Sequence, residues 1–204
     1  MTDALLLRYT DLYNTILLPI AVQVESLIRD HLNHVPRIDR VSARAKTPES
    51  FINKAQKRLP NGTPKYSEPL NQIQDQIGAR VVVFFKEDVE VVGDAVLRYF
   101  RHIEARMVIP DSHWSFGYFG KHLILDLPAD AVPSAIAVKS APGFFELQIK
   151  TLFQHAWSEA EHDVGYKGLE TLSEDQTRRL AYTAAQAWGA DRTFQELIAE
   201  MTVG

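Results

Sequence analysis

Between Arg37 and Arg58 the sequence concentrates seven basic residues, Arg37, Arg40, Arg44, Lys46, Lys54, Lys57 and Arg58, against Asp39 and Glu49. That local net of +5 sits on a chain whose overall charge is −4, which leaves −9 for the rest. A block this compact points to a localised anion site, whereas a general nucleic-acid surface spreads positive charge across a face. The alternative for such a run is a solvated helix end, and spacing weighs against it. Thr47, Pro48 and Glu49 read as N-cap, first-turn proline and first-turn acid, which predicts a helix over 48–59. On that helix Ser50, Lys54 and Arg58 recur every four residues and share one face, while Phe51, Ile52, Ala55 and Leu59 form an apolar stripe. A second polar set lies in the stretch Phe144 to Lys150. There Glu146, Gln148 and Lys150 alternate with Phe145, Leu147 and Ile149, the pattern of a strand with one face on helices and the other on a polar cleft. This places a carboxylate in the cleft.

The elements that must position these groups follow from periodicity. Residues 3 to 33 carry apolar side chains at helical intervals, with a kink or break expected at Pro19. Gly78 to Phe85 has the β-branched and aromatic character of a buried strand and Lys86 to Arg101 reads as a helix. Ile103 to Ile109 is a candidate second strand. Tyr118 to Leu127 alternates, with His122, Ile124 and Asp126 opposite Leu123, Leu125 and Leu127. Residues 151 to 166 read as a helix, and Ser173 with Gln176 forms a capping-box signature that opens a last helix to about Met201. The order predicts an α+β fold with a mixed β-sheet of four or five strands flanked by helices. The chain is expected to form one domain over 1–204, with N-terminal helices over 1–36, a catalytic core over 37–170 and a C-terminal helix over 171–204.

Composition closes other routes. The chain has 204 residues, 46% hydrophobic and 24% charged, the profile of an ordinary globular protein. The absence of cysteine excludes thiol nucleophiles, disulfides and Cys-ligated metals. Asp3, Arg8, Asp11 and Asn14 interrupt the N-terminal apolar residues, so no signal peptide is read there. There is no run of about 20 apolar residues to span a membrane. The expected location is cytoplasmic.

Three segments carry a resemblance over roughly residues 37 to 170. RVSARAKTPESFINKAQKR is similar to the basic ATP-binding loop and helix of the synthetase domain of RelA/SpoT-type alarmone synthetases. Its Arg44, Lys46, Ser50, Lys54 and Arg58 stand in matching places. IQDQIGARVVV resembles the aspartate-containing strand entry of that family, and FELQIKTLFQHAWSEAEHDVGYK its Glu-x-Gln-x-Arg-Thr strand and following helix. In order and spacing the set resembles the small single-domain members, which implies a nucleotidyltransferase-like synthetase fold.

The resemblance implies pyrophosphoryl transfer from ATP to the 3′-hydroxyl of GDP or GTP, giving (p)ppGpp and AMP. The residue types suit that chemistry, since a triphosphate carries about four negative charges and Arg and Lys make strong charge-assisted bonds to it. Mg²⁺ is expected as cofactor, and Asp75 and Glu146 are the carboxylates to hold it. Two roles stay open to Glu146, metal ligand or base for the 3′-hydroxyl. Gln148 would contact the acceptor or orient Glu146, with a plain polar surface residue as the alternative. GYFGKH over 117–122 matches the family's Gly-Tyr-x-Ser-x-His pattern. Tyr118 would then stack on the acceptor base or pack on the sheet, with Lys121, His122 and Lys150 beside the acceptor nucleotide. Two departures stand out, Gly120 for serine and Lys150 for arginine, and the lysine keeps charge but loses the planar fork.

His162-Asp163 is not read as a metal phosphohydrolase, because that chemistry needs further histidine and aspartate ligands across a separate helical domain and every segment is already used by the synthetase reading. Glu161, His162, Tyr166 and Lys167 are instead expected to support the site from a helix end, and Trp114, Trp157 and Trp188 read as core or interface residues. Two alternatives accompany the guanine-nucleotide reading: a toxin-type relative using an adenine nucleotide or the tRNA 3′ end as acceptor, and a catalytically silent nucleotide-binding module. The acidic charge outside 37–58 disfavours tRNA, and the two carboxylates disfavour silence. The resemblance implies a homo-oligomer, a tetramer through terminal helices in members of this size, with Leu180, Ala184, Trp188, Leu197 and Ile198 as contact residues; the same residues could simply close the monomer core.

Overall fold

A computed structural model describes residues 2–107, 117, 120–167 and 172–202. The N-terminal helices are α1, Thr2–Leu12, and α2, Leu18–His31, joined by a π-helical turn over Tyr13–Leu17. Pro19 sits in the first turn of α2, where its missing N–H costs nothing, and the widened π turn absorbs the proline without a break. Tyr9, Leu17, Ile20, Val24 and Ile28 form the buried stripe of this pair.

The strands are β1, Ile38–Ala45, β2, Ile77–Val83, β3, His102–Met107, β4, Lys121–Asp126, and β5, Phe144–Thr151. They form one five-stranded sheet in the order β1-β2-β5-β4-β3, with β2 and β5 parallel and the other pairs antiparallel. The expected mixed sheet is therefore present with five strands. Strand β1 lies inside the basic block, where charge hid the alternation of Val41, Ala43 and Ala45 with Arg40, Ser42 and Arg44. Arg37 precedes it with a left-handed φ of 62°. Its guanidinium is held 2.8 Å from Glu87 and 2.6 Å from Asp88, contacts that fix this uncommon conformation for a side-chain-bearing residue.

Between the strands run α3, Pro48–Ala55, α4, Pro69–Gln72, α5, Lys86–Leu97, α6, Leu152–Lys167, and α7, Glu174–Thr202. Helix α2 packs on β1 and β2, and α5 on β5 and β2, so one sheet face closes over Val81, Leu123, Phe145, Leu147 and Ile149, all fully buried. Helix α6 covers one end of the opposite face through β5 and β2. The capping box at α7 forms, Ser173 N donating to Gln176 Oε1 at 2.8 Å and Gln176 N to Ser173 Oγ at 3.2 Å. Helix α7 is latched to the end of β5, where Thr151 Oγ1 donates to the buried Asp191 Oδ2 at 2.5 Å. Trp157 is buried and donates to Thr183 Oγ1, whereas Trp188 is partly exposed under the Arg192 guanidinium.

Candidate active site

Two rows of paired residues cross the open half of the sheet. Ser42 pairs with Arg80, Arg80 with Gln148 and Gln148 with His122; one step along, Arg44 pairs with Gly78, Gly78 with Glu146 and Glu146 with Ile124. Paired residues share a face, so four strands deliver a polar patch to one surface. A cavity of about 280 Å³ lies over it, lined by Ser42, Arg44, Gly78, Arg80, Glu146 and Gln148 from the strands. Lys46, Thr47, Ser50 and Asp75 complete the wall. Gly78 leaves the floor open, because a Cβ there would meet nothing within 4 Å.

Helix α3 brings the basic groups to this cavity. Thr47 Oγ1 accepts from Ser50 N at 3.3 Å, the expected N-cap. The Tyr9 ring stacks on Phe51 with centroids 3.7 Å apart, and its hydroxyl donates to the Lys46 carbonyl at 3.0 Å. These contacts tie the start of α3 to α1. Lys46 and Lys54 both reach Asp75 Oδ2, at 3.0 and 2.9 Å. Burial pushes the Asp75 carboxyl up, but the two ammonium groups outweigh it and hold the acid below its usual range. Its Oδ1 is buried with no hydrogen-bond partner.

Glu146 is held differently. His122 Nδ1 lies 3.0 Å from Oε1, and Gln148 Nε2 donates to Oε2 at 3.1 Å. Burial raises this carboxyl, His122 lowers it by hydrogen bond and charge, and the outcome is below the ordinary value even with Asp75 opposing. Glu146 therefore does not pair with Arg80 or Lys150. Arg80 instead contacts Glu159 Oε1 at 2.6 Å, His155 Nδ1 at 3.1 Å and Gln148 Oε1 at 3.5 Å.

Several expected site residues stand elsewhere. The helix ends at Ala55 rather than 59, with Gln56 as C-cap, and the chain turns into a small hairpin in which Arg58 bridges to Pro64. Arg58 thus leaves the face of Ser50 and Lys54, and its Nη1 donates to the Gly62 carbonyl at 2.8 Å. Lys121 lies on the sheet face opposite His122, where strand alternation sends it to Glu90 of α5 at 2.5 Å. Lys150 shares the face of Glu146 but α6 covers it; its ammonium donates to Ser158 Oγ at 2.9 Å and does not line the cavity. The absent Cβ of Gly120 accounts for that packing, since a Cβ would fall 2.2 Å from the Ile149 carbonyl oxygen and 2.6 Å from Lys150 Cγ. Tyr118, Trp114 and the side chains of Tyr166 and Lys167 lie outside the described residues. Arg80 and Ser42 are wall residues that spacing did not reveal, although Arg80 is the one charge inside the apolar run of β2.

No group of three or more His, Asp or Glu side chains suited to a metal is present among the described residues. The site does fit Mg²⁺, an ion held through one or two carboxylates with substrate phosphates completing its shell. The unpartnered Asp75 Oδ1, beside Glu146 in the same cavity, is the observation that supports this fit.

Comparison with known proteins shows the family and the fold. Residues 43–171 match the region found in RelA / SpoT proteins. The chain is 28% identical over 174 residues to the GTP pyrophosphokinase YjbM of Bacillus subtilis (strain 168), covering 83% of this chain and 75% of that protein. Among solved structures, a GTP pyrophosphokinase family protein from Streptococcus pneumoniae superposes with a TM-score of 0.69 at 26% identity, over 89% of this chain and 86% of that one. The small alarmone synthetase 1 from Bacillus subtilis bound to pppGpp shares the fold at a TM-score of 0.68 and 24% identity, covering 88% and 89% of the two chains. With its matched segment running from the end of β1 through α6, the chain belongs to the RelA/SpoT family.

Proposed function

We propose that this protein is a GTP pyrophosphokinase that moves the β,γ-diphosphate of ATP onto the 3′-hydroxyl of GDP or GTP. The observation that carries this reading is the convergence of Arg44, Lys46 and Ser50 with Asp75 and Glu146 on one cavity. Lys54 reaches the same Asp75 carboxylate. The cationic groups bind the triphosphate, where charge-assisted bonds are strongest. Arg44 and Arg80 rise from neighbouring rows of the β1–β2 pair, on the same face, and flank the donor nucleotide.

The two carboxylates divide the work. Asp75, with one oxygen unpartnered, would be the principal ligand for Mg²⁺, with Glu146 in the same cavity. Held there, the ion would supply positive charge against that of the phosphates. Both Glu146 oxygens already accept hydrogen bonds, from His122 and Gln148, which fixes the carboxylate toward the acceptor. The 3′-oxygen attacks the β-phosphorus of ATP, its proton passes to Glu146, and the bond from the β-phosphorus to the α,β-bridging oxygen breaks to release AMP. Positioning and electrostatics supply most of the acceleration in such transfers.

The acceptor is GDP or GTP, lying near His122 and Gln148. Lys121 and Lys150 stand outside that contact set. No described helix is long and apolar enough to cross a membrane, and a cytoplasmic location follows from the substrates. Leu7, Val22, Tyr182, Leu197 and Met201 are exposed on the terminal helices, which supports a homo-oligomer assembled through them.

The test incubates the protein with Mg²⁺ and γ-labelled ATP, with GDP, GTP, AMP and deacylated tRNA offered separately. Label on GDP or GTP is expected. Label on AMP or tRNA alone makes the protein a toxin-type relative, and none on any acceptor makes it a silent module. Glu146→Gln is expected to lower turnover by about 10²- to 10⁴-fold, the usual contribution of a positioned base.

A further inference from the structure

A second cavity, of about 780 Å³, lies between α1, the C-terminal end of α3 and the loop that follows it. Helix α3 is its shared wall with the catalytic cavity: Ser50 lines one side, Ile52 and Ala55 the other. Its floor is apolar, made by Leu5, Ile52, Ala55 and the prolines 64 and 69, with Tyr66 half-buried beside them. Two cations stand in this wall, Arg8 from α1 and Arg58 from the hairpin, and among the described residues no Asp or Glu lines it.

Neither guanidinium is neutralised. Arg8 has no hydrogen-bond or ion-pair partner among the described residues. Arg58 donates from Nη1 to the neutral Gly62 carbonyl, and its Nε and Nη2 have no partner among the described residues. On a chain of net charge −4, two uncompensated arginines against an apolar floor form a local positive pocket. The volume lies in the range of small-molecule sites, roughly 300–1,000 Å³.

We infer that this cavity is a second binding site, for a small amphipathic anion: an apolar acyl or aryl body seated on Leu5, Ile52 and Ala55, with one anionic headgroup held by Arg8 and Arg58. Apolar burial supplies affinity and the guanidinium pair selects the charge. The site goes beyond the pyrophosphokinase reading, and its test reads fluorescence rather than turnover, so either can fail alone.

The probe is 1-anilinonaphthalene-8-sulfonate, an aryl body with one sulfonate, compared with N-phenyl-1-naphthylamine, the same body without charge. The full-length protein is expected to bind the sulfonate saturably. Arg8→Gln with Arg58→Gln is expected to raise its Kd by about tenfold or more while leaving the neutral probe unaffected. Gln56→Trp, at an exposed position in the cavity wall, is expected to weaken both probes without disturbing the fold, as checked by circular dichroism. Wild-type affinity for the sulfonate in the double arginine variant, unchanged binding of both probes in Gln56→Trp, or no saturable binding by the wild type would each overturn the proposal.

Discussion

His122 and Glu146 join adjacent antiparallel strands through a 3.0 Å contact between Nδ1 and Oε1, offset by one register step from the pair His122 and Gln148. An ionised carboxylate only accepts, so Nδ1 carries the proton in this contact. His122→Ala is expected to lower kcat by about tenfold to a hundredfold with the KM for ATP little changed, since the contact orients the base and not the donor. His122→Gln, which restores a donor, recovers part of the loss. An unchanged kcat in the alanine variant would remove His122 from the site.

Gly78 sits between Arg44 and Glu146 in the sheet, with open space where its Cβ would be. Gly78→Val therefore projects into the donor cavity from a position where its Cβ meets no atom within 4 Å. The expected result is a fall in kcat/KM for ATP of about tenfold or more with the thermal midpoint preserved. A valine variant that turns over normally would show that ATP does not occupy this floor.

Asp75 is held below its ordinary value by Lys46 and Lys54 against the opposing effect of burial. A carboxyl depressed by folding stabilises the protein above its unfolded value, and that contribution disappears as pH falls through the folded one. Asp75→Asn is expected to be less stable than the wild type at neutral pH and to lose that deficit on acidification below the ordinary carboxylate range. Urea unfolding across an acid series checks this; a deficit independent of pH would mean the loss is steric.

Lys150 runs the other way. Burial and the neighbouring Arg80 push its amine down to about 8 from the ordinary 10.5, with Glu159 and Glu146 offsetting part of the effect. The unfolded chain therefore binds more protons than the folded chain between those values, and stability contributed by this group rises with pH across that window. Lys150→Met abolishes the rise. Denaturant unfolding at about pH 7 and about pH 10 should show the wild type gaining relative to the variant at the higher pH, and a constant difference would contradict the burial of this amine.

Where backbone pattern and side-chain chemistry coincide, the sequence was legible. The alternation around Glu146 and His122 gave both strands and the face they share, and Thr47 with Pro48 gave the start of α3. Residues whose fate depends on tertiary packing were not legible. Arg58 has the spacing of a helix face, yet the helix stops at Ala55 because the following residues pair as a hairpin. Lys150 has the parity of a cleft residue, yet α6 lies over it. Lys121 was grouped with His122 by motif, although strand alternation alone separates them. Strand β1 was hidden because its core-facing residues, Val41, Ala43 and Ala45, are few and small among arginines.

The pleat sorts residues by number. Ser42, Arg44, Gly78, Arg80, His122, Glu146 and Gln148 are all even, and the buried Val41, Ala79, Val81, Leu123, Leu147 and Ile149 are all odd. Along the part of these strands that carries the site, folding and chemistry are thus interleaved, a reading frame two residues long; beyond it the frame closes, and even-numbered Val82 and Ile124 are buried. Point substitutions at Ser42, Arg44, Gly78, Arg80, Glu146 and Gln148 are expected to change the reaction and leave the core intact. A single-residue deletion or insertion within any of these strands slips the frame, sending apolar side chains to the nucleotide and charged ones into the core. Insertions and deletions are therefore expected to be tolerated in the segments between the strands, such as the hairpin after α3, and not within the strands.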